Sequence, residues 1–247
     1  MANETNDSIS VFIIGDGRMG TIIRELVEAD GGLTLAGIVG IDTKETLRDQ
    51  APAADVAIDF SHKDMLPLVE AYIARTGAAL VSGVTGYSAI EASRIRALAE
   101  KVPAIHSANY SLGVAVLRRL AAQAAEALAD FDIEITETHH NQKADAPSGT
   151  AKLLLEAVDP DGACEPVYGR EGMCGKRGER EIGVHALRGG TVAGTHTVHF
   201  FGADEEVELT HRAASRRIFA TGAVAAAKKI VVRDAGLYTF DELMFSV

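Results

Sequence analysis

The chain has 247 residues, enough for one large domain or two modest ones, and 47% of them are apolar, so a core of ordinary size can be buried. Lys and Arg number 24 against 35 Asp and Glu, a formal charge of −11, which favours solubility and argues against a general nucleic-acid partner, whose phosphates ask for a basic face. No apolar run reaches the roughly 18 residues of a membrane span, and the opening MANETNDSIS lacks the basic and apolar regions of a secretory signal.

Residues 9–15, ISVFIIG, form an apolar run ending in glycine, the pattern of a buried parallel strand. GDGRMG follows, then helical spacing in TIIRELVEA (21–29) and a second strand in LTLAGIVG (33–40). This switch of period from strand to helix and back is a βαβ unit. The rhythm continues through DVAIDF (55–60, strand), MLPLVEAYIART (65–76, helix), AALVSG (78–83, strand), SAIEASRIRALAEK (88–101, helix) and VPAIHSA (102–108, strand). Strands and helices alternating in this way predict an α/β domain with a Rossmann-like, doubly wound parallel sheet.

The texture then changes. Residues 112–130 predict a long amphipathic helix with Val116, Leu117, Leu120, Ala124 and Leu128 on its apolar face. FDIEITET (131–138) alternates as a half-exposed strand, 149–158 is a short helix, and 159–181 reads as a loop. EIGVHALRGG, THTVHFFG and EEVELTHR are alternating strands of a second, α+β domain with an open mixed or antiparallel sheet, and 216–233 returns to helix. The domain expectation is 1–110 with 216–247 for one body and 111–215 for the other.

Gly15-Asp16-Gly17-Arg18-Met19-Gly20 fits G-x-G-x-x-G directly after a strand and at a helix start. Gly15 makes the turn, Gly17 admits a pyrophosphate to the backbone, and Gly20 lets helix and strand pack closely, so the segment predicts dinucleotide binding. Asp42, just past the second strand, suits a ribose diol and NADH; Lys44 suits a 2′-phosphate and NADPH, so both cofactors stay open. Arg18 can contact phosphate or adenine, or simply be a solvated side chain. Two later strand ends, Gly83-Val84-Thr85 and Ser107-Ala108-Asn109-Tyr110, fall where such a fold puts ligand contacts, although strands often end in such residues for structural reasons.

The stretch 137–152, ETHHNQKADAPSGTAK, concentrates two histidines, a lysine and a turn into a helix. Metal binding is the poorer reading, because adjacent residues on a strand point to opposite faces and an ammonium is no ligand. An acid–base and anion site is the better one. Imidazole exchanges protons near neutral pH, Lys143 supplies positive charge, and Ser148 suits the N-cap of a helix whose first residues, Gly149 and Thr150, offer free amides to a carboxylate. The remaining alternative is a polar loop that only caps a helix.

ETHHNQKADAPSGTA resembles the signature E-x-H-H-x-x-K-x-D-x-P-S-G-T-A of the dihydrodipicolinate reductase family, also called 4-hydroxy-tetrahydrodipicolinate reductases. GDGRMG, AIDFS, GVTGYS, SANYSLGV, REG (170–172), GTHTVHF and HRAASRRIFATGA resemble further family motifs in order, so the likeness spans essentially the whole chain. The resemblance implies NADH- or NADPH-dependent reduction of 4-hydroxy-tetrahydrodipicolinate, a cyclic dicarboxylate, to tetrahydrodipicolinate with loss of water, in the diaminopimelate route to lysine. By matching position, it implies that His139 is a proton donor and acceptor and Lys143 a proton donor. His140, Gly149 and Thr150 match substrate-binding positions. Gly15 to Gly20, Gly83 to Thr85 and Ser107 to Tyr110 match cofactor-binding segments. It further implies a homotetramer built on the second sheet; the spacing of the histidines and lysine leads to the expectation of no metal. With two cysteines in the chain, Cys164 and Cys174, neither matching a metal spacing, a reducing compartment is expected, hence a cytoplasmic enzyme.

Overall fold

The structure, a computed structural model, describes residues 8–245. In chain order the elements are β1 (Ile9–Ile14), α1 (Arg18–Glu28), β2 (Leu33–Val39), a 3₁₀ helix (Ile41–Arg48), β3 (Val56–Asp59), α2 (Leu66–Thr76), β4 (Ala79–Ser82), α3 (Ala89–Ala99) and β5 (Pro103–His106). They continue with α4 (Leu112–Ala127), β6 (Asp132–His139), α5 (Gly149–Val158), β7 (Glu165–Val167), β8 (Glu181–Arg188), β9 (Thr195–Phe201), β10 (Glu206–Arg212), α6 (Arg217–Ile230), β11 (Gly236–Tyr238) and α7 (Phe240–Phe245). The backbone divides into two units: one runs up to Ser111 and resumes at Arg217, and the other is Leu112–Arg216.

The first unit holds a six-stranded sheet in the order β11-β5-β4-β3-β1-β2, with every pairing parallel. Its strands are apolar on both sides because both faces are covered. Phe12, Ile14, Ala57 and Leu80 join Leu66, Val69 and Ile73 of α2 and Ile95 of α3 in one core cluster, while α1 and α6 pack against each other and on β1, β3 and β4. The inner face of α6 is small: Ala220, Gly222, Ala223, Ala226 and Ala227 are all buried. A Cβ on Gly222 would fall 1.6 Å from the carbonyl oxygen of Tyr110, so this helix approaches the backbone after β5 as only a glycine permits.

The second unit holds a five-stranded sheet ordered β10-β9-β6-β8-β7. It is mixed, with β6 and β7 parallel to β8, and β9 antiparallel to β6 and β10. One face lies under α4 and α5 through Ile135, Ile182, Val184, Val198 and Phe200 against Leu117, Ala121 and Leu154. The expectation of a doubly wound parallel sheet plus a second mixed sheet is met.

Three details of the sequence reading are overturned. The segment expected to be loop, 159–181, contributes the edge strand β7, a three-residue piece held by β8 alone. The last strand and helix, β11 and α7, were not anticipated; β11 has three residues and is defined by its pairing with β5. On α4 the buried stripe is Val114, Leu117 and Ala121, while Val116 and Leu120 are 40% and 46% exposed. Leu117, Ala124 and Leu128 of the expected face do lie in or against the core, but packing on α5 and β10 buries Val114 and Ala121 in place of Val116 and Leu120.

Glu134 ties this sheet to the segment before β8. Arg170 grips its carboxylate with two bonds of 3.0 and 2.9 Å, His185 donates or shares a proton at 2.7 Å, and Arg177 reaches it at 3.4 Å. Burial alone would raise its pKa, but these partners overcome that and hold it at about 2. A carboxyl depressed in the folded state contributes stability that is complete above the unfolded value, about 4.5, and is lost as the pH falls through the folded one. Glu134→Gln should therefore cost on the order of 2 kcal/mol near neutrality, with the gap from wild type closing between about pH 4.5 and 2. Urea unfolding at a series of pH values reads this directly; a gap that stays constant with pH contradicts it.

Candidate active site

In the first unit the glycine loop leaves β1 at the point where strand order reverses, between β1 and β3, the place where open α/β sheets bind ligands. Gly15 takes φ +105°, and a Cβ there would meet the Phe60 carbonyl at 2.8 Å. A Cβ on Gly20 would lie 1.8 Å from the Gly15 oxygen, whereas one on Gly17 would meet nothing within 4 Å. Gly17 is the N-cap of α1, with no side chain capping the helix and no acid in its first turn. Uncapped amides beside an open backbone fit a pyrophosphate, so the cradle suits a dinucleotide. Asp16, Arg18 and Asp42 are exposed and Met19 is partly covered. The Asp16 side chain turns to the end of β2, where a Cβ on Gly40 would fall 1.9 Å from its Oδ2.

The other predicted strand ends are also in this unit. Gly83 lies under the Phe60 ring, which a Cβ would strike at 2.4 Å; Val84 is buried and its carbonyl bonds His106 Nε2 at 2.8 Å; Thr85 is exposed. Ser107 and Asn109 knit their own turn, with Asn109 Oδ1 accepting from the Ser111 amide at 2.8 Å, and Ala108 is exposed. Tyr110 is different from the rest. Its ring is 1% exposed, edge-on to Phe240, and its hydroxyl donates to the Ser82 carbonyl at 2.7 Å. The side chain belongs to the core.

In the second unit, His139 ends β6. Its Nδ1 is 2.6 Å from Oε2 of Glu137, a carboxylate that is fully buried. Two Arg188 nitrogens donate to Glu137, each at 2.8 Å, and the Ser148 amide donates to Oε1 at 3.0 Å. Burial would raise the carboxyl, yet Arg188, His139 and Ser148 hold it below the usual range. Ser148 caps α5 by accepting from the Ala151 amide at 3.2 Å, and its hydroxyl meets His196 Nε2 at 3.0 Å. Burial first, then repulsion from a protonated His139, drops His196 to about 4, so it is neutral near pH 7. The His139 and His196 rings meet edge to face at 5.1 Å. The far side of His139 faces Gly194, where a Cβ would come within 3.1 Å of Nε2.

His140 points elsewhere. Arg216 donates to its Nε2 at 3.0 Å; a guanidinium cannot accept, so that nitrogen is unprotonated. Loss of water around the ring, then the Arg216 charge, hold His140 below the ordinary imidazole range. Lys143 is joined to Asp145 at 2.7 Å, the lysine side chain 20% exposed and the aspartate 61%, an arrangement that a substrate carboxylate can replace. Gly149 and Thr150 open α5, the end of a helix that favours negative charge. The structure thus joins His139 and the Ser148 N-cap of α5 through one buried carboxylate, with Lys143 on Asp145 in the turn between them and His140 on the Arg216 side.

Glu137, Arg188 and His196 were not picked out from the sequence. The signal was there: Glu137 is in phase with Ile133 and Ile135, Arg188 with Ile182 and Val184, and His196 with Val198 and Phe200, so each polar residue continues an inward-facing apolar series. Among the described residues, the grouping of ligand atoms within 4.8 Å able to hold a metal is His199 with Glu206 and Glu208, remote in sequence from His139 and His140.

Two family models match the chain: dihydrodipicolinate reductase, N-terminus, over residues 9–110, and dihydrodipicolinate reductase, C-terminus, over 113–244. A 4-hydroxy-tetrahydrodipicolinate reductase of Exiguobacterium sp. is 40% identical over 238 residues, covering 95% of each chain. Another, from Gluconacetobacter diazotrophicus, is 42% identical over 252 residues, covering 97% of this chain and 98% of that one. Among solved structures, a dipicolinate-bound dihydrodipicolinate reductase from Paenisporosarcina sp. TG-14 superposes with a TM-score of 0.76 at 22% identity, over 96% of this chain and 100% of the other. A glycine cradle suited to a dinucleotide in one unit, and matched models over nearly the full length, leave one conclusion: the chain belongs to the dihydrodipicolinate reductase family.

Proposed function

We propose that the chain reduces 4-hydroxy-tetrahydrodipicolinate to tetrahydrodipicolinate with loss of water, using NADH or NADPH, in the diaminopimelate route to lysine. The observation that carries this reading is the buried Glu137 carboxylate, which holds both His139 and the Ser148 N-cap of α5, with Lys143 paired to Asp145 in the turn between them. The nucleotide belongs to the first unit, held by Gly15 to Gly20 with Gly83 to Thr85 and Ser107 to Tyr110 beside it, and supplies a hydride when bound. The dicarboxylate belongs to the second unit.

There the amides of Gly149 and Thr150 take one carboxylate at the positive end of α5, and His140 offers the other a neutral ring backed by Arg216. Lys143 exchanges Asp145 for the substrate. A ring that accepts hydride gains negative charge, which a positioned acid must quench; His139 delivers that proton from Nε2, with Lys143 as the second donor. The balance is one hydride and one proton onto the ring and one water out. Local charge matters because the chain as a whole repels a dianion, its formal charge being −11. The protein works as a homotetramer in the cytoplasm. An uncovered second-sheet face, on which Leu187 is 51% and Phe201 38% exposed, supports association through that sheet.

Coupled to a synthase that condenses pyruvate with aspartate semialdehyde, the protein should oxidise the nicotinamide, followed by absorbance. His139→Gln should lower kcat by about 10²- to 10⁴-fold, and Lys143→Ala should lower kcat and raise KM together. Unchanged turnover in both variants, with circular dichroism intact, rejects this reading.

The position of Asp16 favours NADH. Gly40 stands where such folds carry the acid that binds the ribose diol, and Asp16 brings a carboxylate to that spot; a 2′-phosphate there would meet like charge. Fluorescence titration should give tighter binding of NADH than NADPH. Asp16→Asn should narrow the ratio by about tenfold, the scale of one hydrogen bond to a charged group; an unchanged ratio places selectivity elsewhere.

A further inference from the structure

A carboxylate with no exposed surface is rare unless every lone pair is used. Glu137 meets that condition: Oε1 accepts from Ser148 N and Arg188 at 3.0 and 2.8 Å, and Oε2 accepts from Arg188 and His139 at 2.8 and 2.6 Å. Three of these four contacts hold the carboxylate in place; the fourth reaches the ring assigned the proton transfer. An ionised carboxylate accepts only, so His139 Nδ1 must be the protonated nitrogen. That leaves Nε2, the atom beside Gly194, as the one that gives and takes a proton.

We propose that Glu137 is a positioning residue for the reaction: charge-paired with Arg188, it fixes the tautomer and ring orientation of His139 and presents Nε2 to the substrate. Through the Ser148 amide the same carboxylate anchors the first turn of α5, so the imidazole and the anion-binding amides share one support. A loose imidazole can place its proton on either nitrogen and rotate about its side-chain bonds, and each wrong arrangement removes a fraction of the enzyme from turnover. Glu137 acts through His139 and touches no substrate. The proposal rests on His139 being the proton-transferring group, and its test separates the two ideas.

The experiment compares wild type, Glu137→Gln, His139→Gln and the double variant Glu137→Gln/His139→Gln, with ¹⁵N NMR of histidine-labelled protein to read the tautomer. In wild type the neutral His139 ring should carry its proton on Nδ1, and in Glu137→Gln the two tautomers should mix. The kcat of Glu137→Gln should fall by roughly 10²-fold or more, as when an orienting carboxylate is neutralised elsewhere, while the Kd for the nicotinamide cofactor stays within about twofold. In the His139→Gln background the same substitution should cost nothing further, since two residues acting as a unit are non-additive; a purely structural role would lower activity again. Should Glu137→Gln fail to fold because Arg188 loses its partner, Glu137→Gln/Arg188→Gln removes both charges and is read the same way. Wild-type kcat in the Glu137 variant, or a wild-type ring protonated on Nε2, overturns the proposal even when His139→Gln is inactive. An active His139→Gln instead overturns the reading on which it rests.

Discussion

One buried negative charge organises the second unit. Removing a carboxylate from water is costly unless its lone pairs and its charge are answered on the spot. Around Glu137 the answers come from three separate stretches of chain: a guanidinium from the end of β8, an amide from the start of α5 and an imidazole two residues along its own strand. None can move far without exposing the others to an unmet cost. The turn between β6 and α5, which carries Lys143, is therefore closed at both ends by the same group. The parallel register of β6 on β8, with His139 opposite Arg188, is what delivers the arginine to it.

Around this fixed centre the polar groups differ in how firmly they are held. Glu137 and Ser148 are buried, with no room to rearrange. The Lys143–Asp145 pair is on the surface side, where an ion pair is worth little and is readily exchanged. Rigid groups hold the His139 ring, while the labile pair leaves Lys143 able to exchange its partner. The first unit shows the same division: Gly15 and Gly20 are locked by contacts no side chain would survive, while Gly17 and the uncapped start of α1 stay accessible.

Much of this was legible in the residues, for a physical reason. Where a local pattern has one structural solution it can be read: GDGRMG between a strand and a helix, or Ser148 followed by the amphipathic stretch that folds as α5 over Gly149–Val158. Elements that exist only by pairing with something distant could not be read. The strands β7 and β11 have three residues each, too few for any period to register, and are defined by β8 and β5 beside them. The face of α4 shows a further limit, since Val116 and Leu120 are as apolar as Val114 and Ala121, and only the neighbours decide which of them go in. Glu137 lies between these cases. Its phase with Ile133 and Ile135 announces burial, but an acid at the end of an alternating strand reads equally well as a solvated one until Arg188 and His139 are seen around it.

The discontinuity of the first unit has a consequence for how the molecule is made. Its helix α6, whose small face fits against Tyr110, and its edge strand β11 come from beyond Arg217. The second unit is a single uninterrupted stretch. On a ribosome delivering the chain from its amino end, that stretch emerges whole and can fold as soon as it clears the exit tunnel. The nucleotide-binding sheet, although begun first, must wait with one face covered by α1 alone until α6 and β11 have been added.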